Sequence, residues 1–345
     1  MSDYSFFQLG GLWNFAGKRA DVQITAGVNL SGEVPIVQVG LLGNAFLEGS
    51  TPFQASLLFN YGADVSLFQI SGLANGTQQT RLQLSGLLSY AEYRANIQFA
   101  GLVNHSGQYS GVQISGLVSH SSMEASVQVS GLVSYAKTES AIQFAGLVNY
   151  TYGQTNLQIS GISNLCMDGC DLQLSGLVNY ASGSRSRTLL PSDSRPYLQM
   201  ALLYNRSDRT PMQVAFINRS NQTNIVQLGA FNSTEESRLQ VGFLNLVGSD
   251  NVNASDQGLA TISPGVQFGL INSSPRPFLQ FGIYNTTTGG GEGYGLTAGI
   301  WNYSEKHSGL MVGVFNYADD LHGLQLGLLN VSRKSSIPVL PLLNF

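Results

Sequence analysis

Hydrophobic and polar residues follow a short recurring pattern along the chain: hydrophobic, Gln, hydrophobic, small, Gly, Leu, hydrophobic, then Asn or Ser, as in residues 172–179. Through the first half, the glutamine of this pattern recurs every 15 residues, with an occasional 14 or 16. Alternation of hydrophobic residues with polar or small residues before the glycine is typical of a half-buried strand. The polar residues after the pattern are typical of a turn. The fixed period indicates one structural unit repeated many times.

A longer period is superimposed on the 15-residue repeat, because repeats resemble each other best when they are three apart. The sequence Ile-Gln-Phe-Ala at 97–100 recurs identically at 142–145. This period predicts an all-β, three-sided parallel β-solenoid with one strand per repeat of 13–15 residues and three repeats per coil. Three apolar faces would then close on a common core. Duplication of a 45-residue unit would leave the same trace in the sequence.

A transmembrane antiparallel β-barrel of about 22 strands is the alternative, since its strands also alternate between two faces and have similar lengths. Tyr90 and Tyr135, at predicted strand ends, would belong to its interfacial girdle. Two features favour the solenoid. The turns have nearly constant length, and Pro338 and Pro341 lie in what would have to be the closing strand.

Because the repeats run through the whole chain, we expect a single elongated repeat domain over 1–345. Residues 1–181 carry the 15-residue form, and residues 198–345 carry a form of 13–14 residues, Q-x-G-x-x-N. Residues 182–197 fit no repeat and are predicted to be a loop insertion, and 286–295 to be a glycine-rich loop. The terminal unit 337–345 is predicted to cap the open sheet edge, because Pro338 and Pro341 cannot donate to a strand ladder.

The recurring amides have a structural explanation in such a fold. In parallel strands paired in register, glutamine over glutamine and asparagine over asparagine can hydrogen-bond along the axis. The alternative is that glutamine is merely a solvent-facing strand residue, and the face it occupies is left open. The predicted ladder residues are Gln83, Gln98, Gln113, Gln128, Gln143, Gln158, Gln173, Asn104, Asn149 and Asn179. The glycines after them, Gly86, Gly131 and Gly176, are predicted to form bends with positive φ.

Composition narrows the choice of partners. Charged residues are 10% of the chain, against roughly 25% in an ordinary soluble domain. With a net charge of −4 and no basic stripe, nucleic acid is not expected as a partner. No apolar run approaches the roughly 20 residues of a membrane-spanning helix. A signal peptide is absent from this numbering, which is expected of a mature or recombinant form, or of a chain that is not exported by that route.

Few residues suggest chemistry. Cys166 and Cys170 flank a turn, where a disulfide is favoured and two free thiols are the alternative. His105 and His120 hold the same place in successive repeats, but three repeats per coil would put them on different sides of the solenoid, so no paired metal site is expected. The sequence shows no carboxylate cluster for polysaccharide cleavage and no nucleophile, phosphate-binding or zinc motif. No enzyme activity, cofactor or metal is therefore predicted.

The second half carries tandem units such as Gln325-Leu-Gly-Leu-Leu-Asn330 and Gln280-Phe-Gly-Ile-Tyr-Asn285, and the chain ends in Pro338-Val-Leu-Pro-Leu-Leu-Asn-Phe345. These units resemble a bacterial surface-repeat family of spirochaetes and other two-membrane bacteria. The likeness covers nearly the whole chain, although the added residue in the first half departs from the family pattern. The resemblance implies export to the cell surface or outer membrane and supplies no catalytic residues.

Together these features predict a non-enzymatic, surface-exposed structural or binding protein on a rigid β-repeat scaffold. Its partner is not identified; carbohydrate and self-association are both candidates, and the outer membrane is another. An outer-membrane pore is the alternative function, and a carbohydrate-active β-helix is the second alternative.

Overall fold

The computed structural model describes residues 4–182, 197–208, 210–221, 223–248 and 265–345. Every regular element in these ranges is a β-strand. The strands stack in parallel, so the predicted all-β parallel solenoid is confirmed, and the antiparallel alternative does not match the observed pairing. The chain divides into two compact units, Met1–Cys170 and Asp171–Phe345, which we describe separately.

In the first unit, long and short strands alternate. They are β1 (Tyr4–Gly10), β2 (Trp13–Ala16), β3 (Arg19–Thr25), β4 (Val28–Ser31), β5 (Val37–Gly40), β6 (Gly43–Phe46), β7 (Ser50–Ser56), β8 (Phe59–Ser71), β9 (Ala74–Ser85), β10 (Leu88–Ala100), β11 (Val103–Ser106), β12 (Tyr109–Ser115), β13 (Val118–Ser121), β14 (Glu124–Ser130), β15 (Val133–Ala136), β16 (Ser140–Ala145), β17 (Val148–Thr151), β18 (Thr155–Ser160) and β19 (Ser163–Cys166).

The second unit continues the alternation and ends in a long run of strand. Its elements are β20 (Cys170–Ser175), which begins at the last residue of the first unit, β21 (Val178–Ala181), β22 (Leu198–Met200), β23 (Tyr204–Ser207), β24 (Thr210–Val214), β25 (Ile217–Ser220), β26 (Thr223–Leu228), β27 (Phe231–Thr234), β28 (Glu236–Val241), β29 (Leu244–Val247), β30 (Gly265–Phe268), β31 (Ile271–Ser274), β32 (Pro277–Ser332) and β33 (Val339–Asn344).

Each repeat forms one complete coil, and the prediction of three repeats per coil is wrong. Gln98 is the register partner of Gln113, and Gln113 of Gln128. A coil therefore closes after one repeat of long strand, bend, short strand and turn. The similarity between repeats 45 residues apart does not reflect the length of a coil.

The interior of the coils is polar, which the prediction of three apolar faces around a common core did not anticipate. In β12 the buried residues are Ser110, Gln113 and Ser115, whereas Val112 and Ile114 point outward. The short strand β13 buries Ser119 and Ser121 in the same way. Amide, hydroxyl and alanine side chains thus fill the coil, and the larger apolar side chains lie outside it.

Glycine is required at the bends because adjacent coils approach closely there, not because of positive φ. Gly86 and Gly131 lie at bends but are not among the glycines with positive φ, and neither is Gly176. A Cβ on Gly86 would lie 1.9 Å from the carbonyl oxygen of Gly72. A Cβ on Gly131 would lie 2.0 Å from the carbonyl oxygen of Gly116. Any side chain at these positions would force the stacked backbones apart.

The final strand runs antiparallel to the strand with which it pairs. β33 pairs antiparallel with β32, with Gln325 opposite Asn344 and Val331 opposite Val339. Pro341 falls where the register shifts, between the pairs formed by Leu340 and Leu342. The strand therefore covers the edge of the last coil and places a proline where no ladder donor is needed.

Candidate binding surface

A continuous glutamine ladder runs through the core of the first unit. Gln113 donates from Nε2 to Gln98 Oε1 at 2.8 Å, and Gln128 donates to Gln113 Oε1 at 2.9 Å. The amide Nε2 also donates a hydrogen bond to a backbone carbonyl of the short strand in the same coil. Gln113 Nε2, for example, donates to the carbonyl of His120. These side chains are fully buried, so the alternative of solvent-facing glutamine is wrong and the predicted ladder is confirmed.

Asparagine forms a second ladder near the bend, with interruptions. Asn149 Nδ2 donates to Asn164 Oδ1 at 3.0 Å and to the carbonyl of Ile159 at 2.7 Å. Where the preceding coil has serine instead, the ladder stops. Asn149 lies on the coil after Ser134, and Asn104 lies on the coil after Ser89. The Oδ1 atom of neither asparagine has a hydrogen-bond partner among the described residues. The serine hydroxyl is too short to reach the amide above it and bonds to a carbonyl instead.

In the second unit, the glutamine ladder includes the step from Gln199 to Gln173 at 2.7 Å and continues as far as Gln280. Asn179 there donates to Asn205 at 3.1 Å. After Gln280, the equivalent buried positions hold Thr297 and Met311, and Gln280 Oε1 has no partner in the described part of the chain.

His307 lies fully buried in the same part of the second unit. Burial lowers the pKa of its imidazole to about 4, although the backbone of Leu310 and the charge of Glu292 oppose this effect. A core histidine here could not be predicted from the repeat pattern, because His307 does not fall on its glutamine or asparagine position.

The outward side of the coils is apolar on both strands and at the bend. Ile97 and Phe99 are exposed on the long strand, and Val103 is partly exposed on the short strand of the same coil. At the bend, leucines from successive coils form a column, and each is 38–39% exposed: Leu102, Leu117, Leu132 and Leu147. We call this set the leucine column.

A shallow groove of about 530 Å³ lies beside the leucine column. It is lined by equivalent residues of four successive coils, among them Leu84, Phe99, Ile114, Gly101 and Gly116. Its lining carries no charged side chain, so the groove suits an apolar occupant.

Charged residues are concentrated at the opposite end of the long strand, in the turn that closes each coil. Lys137 and Glu139 lie exposed between β15 and β16. At the equivalent end of other coils, Glu92 is exposed within β10 and Glu124 is the exposed first residue of β14. Several coils of this region thus have charged residues at one end of the long strand, and the leucine bend lies at the other end.

A column of stacked rings follows the outer side of the short strands in the first unit. Tyr90, His105, His120, Tyr135 and Tyr150 stack with centroid separations of 4.8–5.3 Å. His105 and His120 are direct neighbours, with their Nδ1 atoms 2.8 Å apart. The prediction that they lie on different sides of the solenoid is wrong, because one repeat, not three, completes a coil. Their spacing of 15 residues was the signal that could have revealed the pair.

The environment of the two imidazoles favours their neutral forms. Burial lowers the pKa of His105. Burial also lowers the pKa of His120, and the neighbouring charge of His105 lowers it further. In this short contact, one Nδ1 must carry a proton and donate a hydrogen bond, and the other Nδ1 must accept that bond.

Cys166 and Cys170 are joined by a disulfide across the turn that follows β19. Of the two predicted loops, 182–197 lies almost entirely outside the described residues. Residues 286–295 fall within β32, so the prediction of a loop there is wrong.

Within the described ranges, no group of three or more His, Cys, Asp or Glu side chains is placed to hold a metal ion. The same ranges contain no helix of sufficient length and apolar character to cross a membrane.

Comparison of the chain with protein-family models, with curated proteins and with solved structures gives no match.

Proposed function

We propose that the protein is a non-enzymatic scaffold that lies on a lipid membrane, with its leucine column and the adjoining apolar faces in contact with the acyl chains. The observation that carries this proposal is the inverted distribution of side chains. Gln113 and Ser119 are inside the coil, while Ile114 and Leu117 are exposed. Extended apolar surface of this kind marks a site of interaction with a protein or a membrane.

Hydrocarbon fits this surface better than a single protein partner. The apolar residues occupy two outer faces and the bend between them, and a second copy packed against one face would leave the others bare. A membrane that receives the bend contacts the bend and the adjoining ends of both faces at once. Contact with hydrocarbon also requires that the backbone N–H and C=O groups be hydrogen-bonded within the protein. The strands meet this requirement, because each coil pairs with the coils above and below it.

The charged turns set the orientation. With Leu132 and Leu147 pointing into the membrane, Lys137 and Glu139 at the other end of the long strand face the headgroups or water. This is the arrangement of an interfacial element, whose apolar side is buried roughly 5–10 Å into the boundary between headgroups and acyl chains.

The proposed location is the cell surface or outer membrane of a bacterium. It is supported by the resemblance of the Q-x-G-x-x-N units to surface repeats and by the apolar exterior. The ladder core contributes rigidity, because each amide is fixed by bonds along the axis and within its own coil.

Flotation with phosphatidylcholine vesicles tests the proposal. The purified chain is expected to float with the vesicles, and a variant with Leu102, Leu117, Leu132 and Leu147 changed to Ser is expected to partition at least about tenfold less, because each change removes apolar contact area. The matched control, Lys137→Gln with Glu139→Gln, should float like the unchanged chain.

A chain that stays at the bottom of the gradient would overturn the proposal, as would equal flotation of the serine variant. If the chain instead forms a discrete dimer that the serine changes dissociate and that does not float, a second copy is the occupant and the lipid assignment is wrong.

A further inference from the structure

His105 and His120 bring two metal-ligand nitrogens together on the outer surface of the described first unit. They are register partners in β11 and β13, and both side chains are partly exposed. Their rings stack with centroids 4.8 Å apart and planes inclined by 9°, and their Nδ1 atoms approach to 2.8 Å. Two imidazole nitrogens therefore already lie side by side at a solvent-accessible position.

The distance between these nitrogens matches the edge of a metal coordination sphere. Two ligands at right angles, each about 2.0 Å from a metal ion, lie about 2.8 Å from each other. Imidazole nitrogen is a preferred ligand of Cu²⁺, Ni²⁺ and Zn²⁺, and Cu²⁺ binds most strongly in this series and favours square-planar or tetragonal geometry. We propose that His105 and His120 bind one divalent transition-metal ion through their Nδ1 atoms, Cu²⁺ most strongly, on the outer face of the solenoid.

Binding requires a change of tautomer and a rotation of the rings. The imidazole that carries its proton on Nδ1 releases it to water and takes one up on Nε2, so both rings stay neutral and both Nδ1 lone pairs become available to the metal. Since nearly parallel rings direct their lone pairs along nearly parallel lines, each ring must turn about its Cβ–Cγ bond to aim at a common point. Both rings are partly exposed, which leaves room for this rotation.

The neighbouring rings limit the site to two protein ligands. Tyr90 stacks on the far side of His105, and Tyr135 on the far side of His120. Water completes the coordination sphere, so the ion remains open to exchange and to additional ligands. This differs from a structural zinc site, which is closed by four protein ligands. The site does not depend on the proposed membrane contact.

Titration of the full chain with a Cu²⁺ salt, followed by calorimetry and electron paramagnetic resonance, tests the assignment. The unchanged chain is expected to bind one Cu²⁺ with a nitrogen-ligated spectrum, and Ni²⁺ and Zn²⁺ more weakly. His105→Tyr and His120→Tyr should each weaken Cu²⁺ binding at least tenfold. Tyrosine is the matched substitution, because the column already holds tyrosine at positions 90, 135 and 150.

His322→Gln is the control, since His322 lies near Asp320 in the second unit, 3.6 Å away, and is another exposed imidazole. It should leave Cu²⁺ binding unchanged. Cu²⁺ should also raise the melting temperature of the unchanged chain and of His322→Gln, but not that of either tyrosine variant. Absence of Cu²⁺ binding, retention of full binding in the tyrosine variants, or loss of binding in His322→Gln would overturn the proposal.

Discussion

Gln128 donates a hydrogen bond from Nε2 to Oε1 of Gln113, the residue 15 positions earlier, at 2.9 Å. Both side chains are fully buried. This contact fixes three properties of the molecule at once: successive repeats lie directly on one another, the strands are parallel and in register, and the core between them is built from amides. Such a core is stable because each buried amide finds its partners, whereas an unpaired buried amide costs free energy.

Replacing one ladder glutamine should therefore destabilise the fold more than replacing its outward neighbour. Gln113→Leu removes the bonds to Gln98 and His120 and leaves Gln128 without its acceptor. We expect a loss of about 3 kcal/mol in the free energy of unfolding. The control Val112→Thr alters an outward side chain and should cost less than about 1 kcal/mol. Thermal and urea unfolding followed by circular dichroism compares them; equal losses would contradict a ladder core.

The serine interruptions of the asparagine ladder offer a stabilising change. Ser89→Asn places an amide under Asn104 Oδ1, which has no partner among the described residues. The preceding coil already carries Asn75 at the position of Ser89 and Ser71 at the position of Ser85, so an asparagine beside this serine fits the local sequence. We expect a gain of about 1 kcal/mol. A lower melting temperature in Ser89→Asn would show that the orphan oxygen is not available to the new donor.

The stability of the second unit should fall on acidification because of His307. The pKa of this buried imidazole is about 4 in the folded chain, below the ordinary value of 6.5. Between these values the unfolded chain binds more protons than the folded chain, so stability is complete above pH 6.5 and decreases as the pH falls towards 4. The expected loss is on the order of 3 kcal/mol.

His307→Gln tests this assignment, because glutamine does not titrate. Its unfolding free energy should depend less on pH across that window than that of the unchanged chain. His105 and His120, whose pKa values are also lowered, contribute slopes of the same sign and remain in both proteins. An identical pH profile for the variant would show that His307 is not the titrating group.

The disulfide should matter only modestly, because it closes a very short loop. Cys166 and Cys170 are separated by four positions. The entropy removed from the unfolded chain by so small a loop corresponds to about 2 kcal/mol at 25 °C. Cys166→Ala with Cys170→Ser should lower the melting temperature without loss of the fold, since equivalent positions hold Ala136 and Ser140. Failure of this variant to fold would contradict so small a contribution.

The solenoid could be predicted from the sequence because amides at a constant spacing can pair with one another when parallel strands stack in register. The length of the coil could not, because repeats three apart resemble each other best although each repeat stacks on the next. The polar core was also not predicted. Alternation shows that Gln113 and Ile114 face opposite sides of a strand, but not which side is inside. Burial of the apolar side is the usual outcome, and here the paired amides reverse it.

The candidate surface depends on that reversal and could not be predicted without it. His105 and His120 become neighbours only when one repeat completes one coil, and the leucine column becomes exposed only when the glutamines are inside. The disulfide between Cys166 and Cys170, by contrast, depends on local spacing alone, and that spacing does not change with the length of the coil.

Cysteine cross-linking tests the central claim, one repeat per coil, most directly. In the Cys166→Ala, Cys170→Ser background, cysteines replacing Leu102 and Leu117 should form a disulfide under diamide, because these residues are neighbours through the bond from Leu117 N to Leu102 O at 3.0 Å. Cysteines replacing Leu102 and Leu147 should remain free, since three coils at about 4.8 Å each exceed the reach of a disulfide. Cross-linking of the second pair without the first would contradict the account and restore a coil of three repeats.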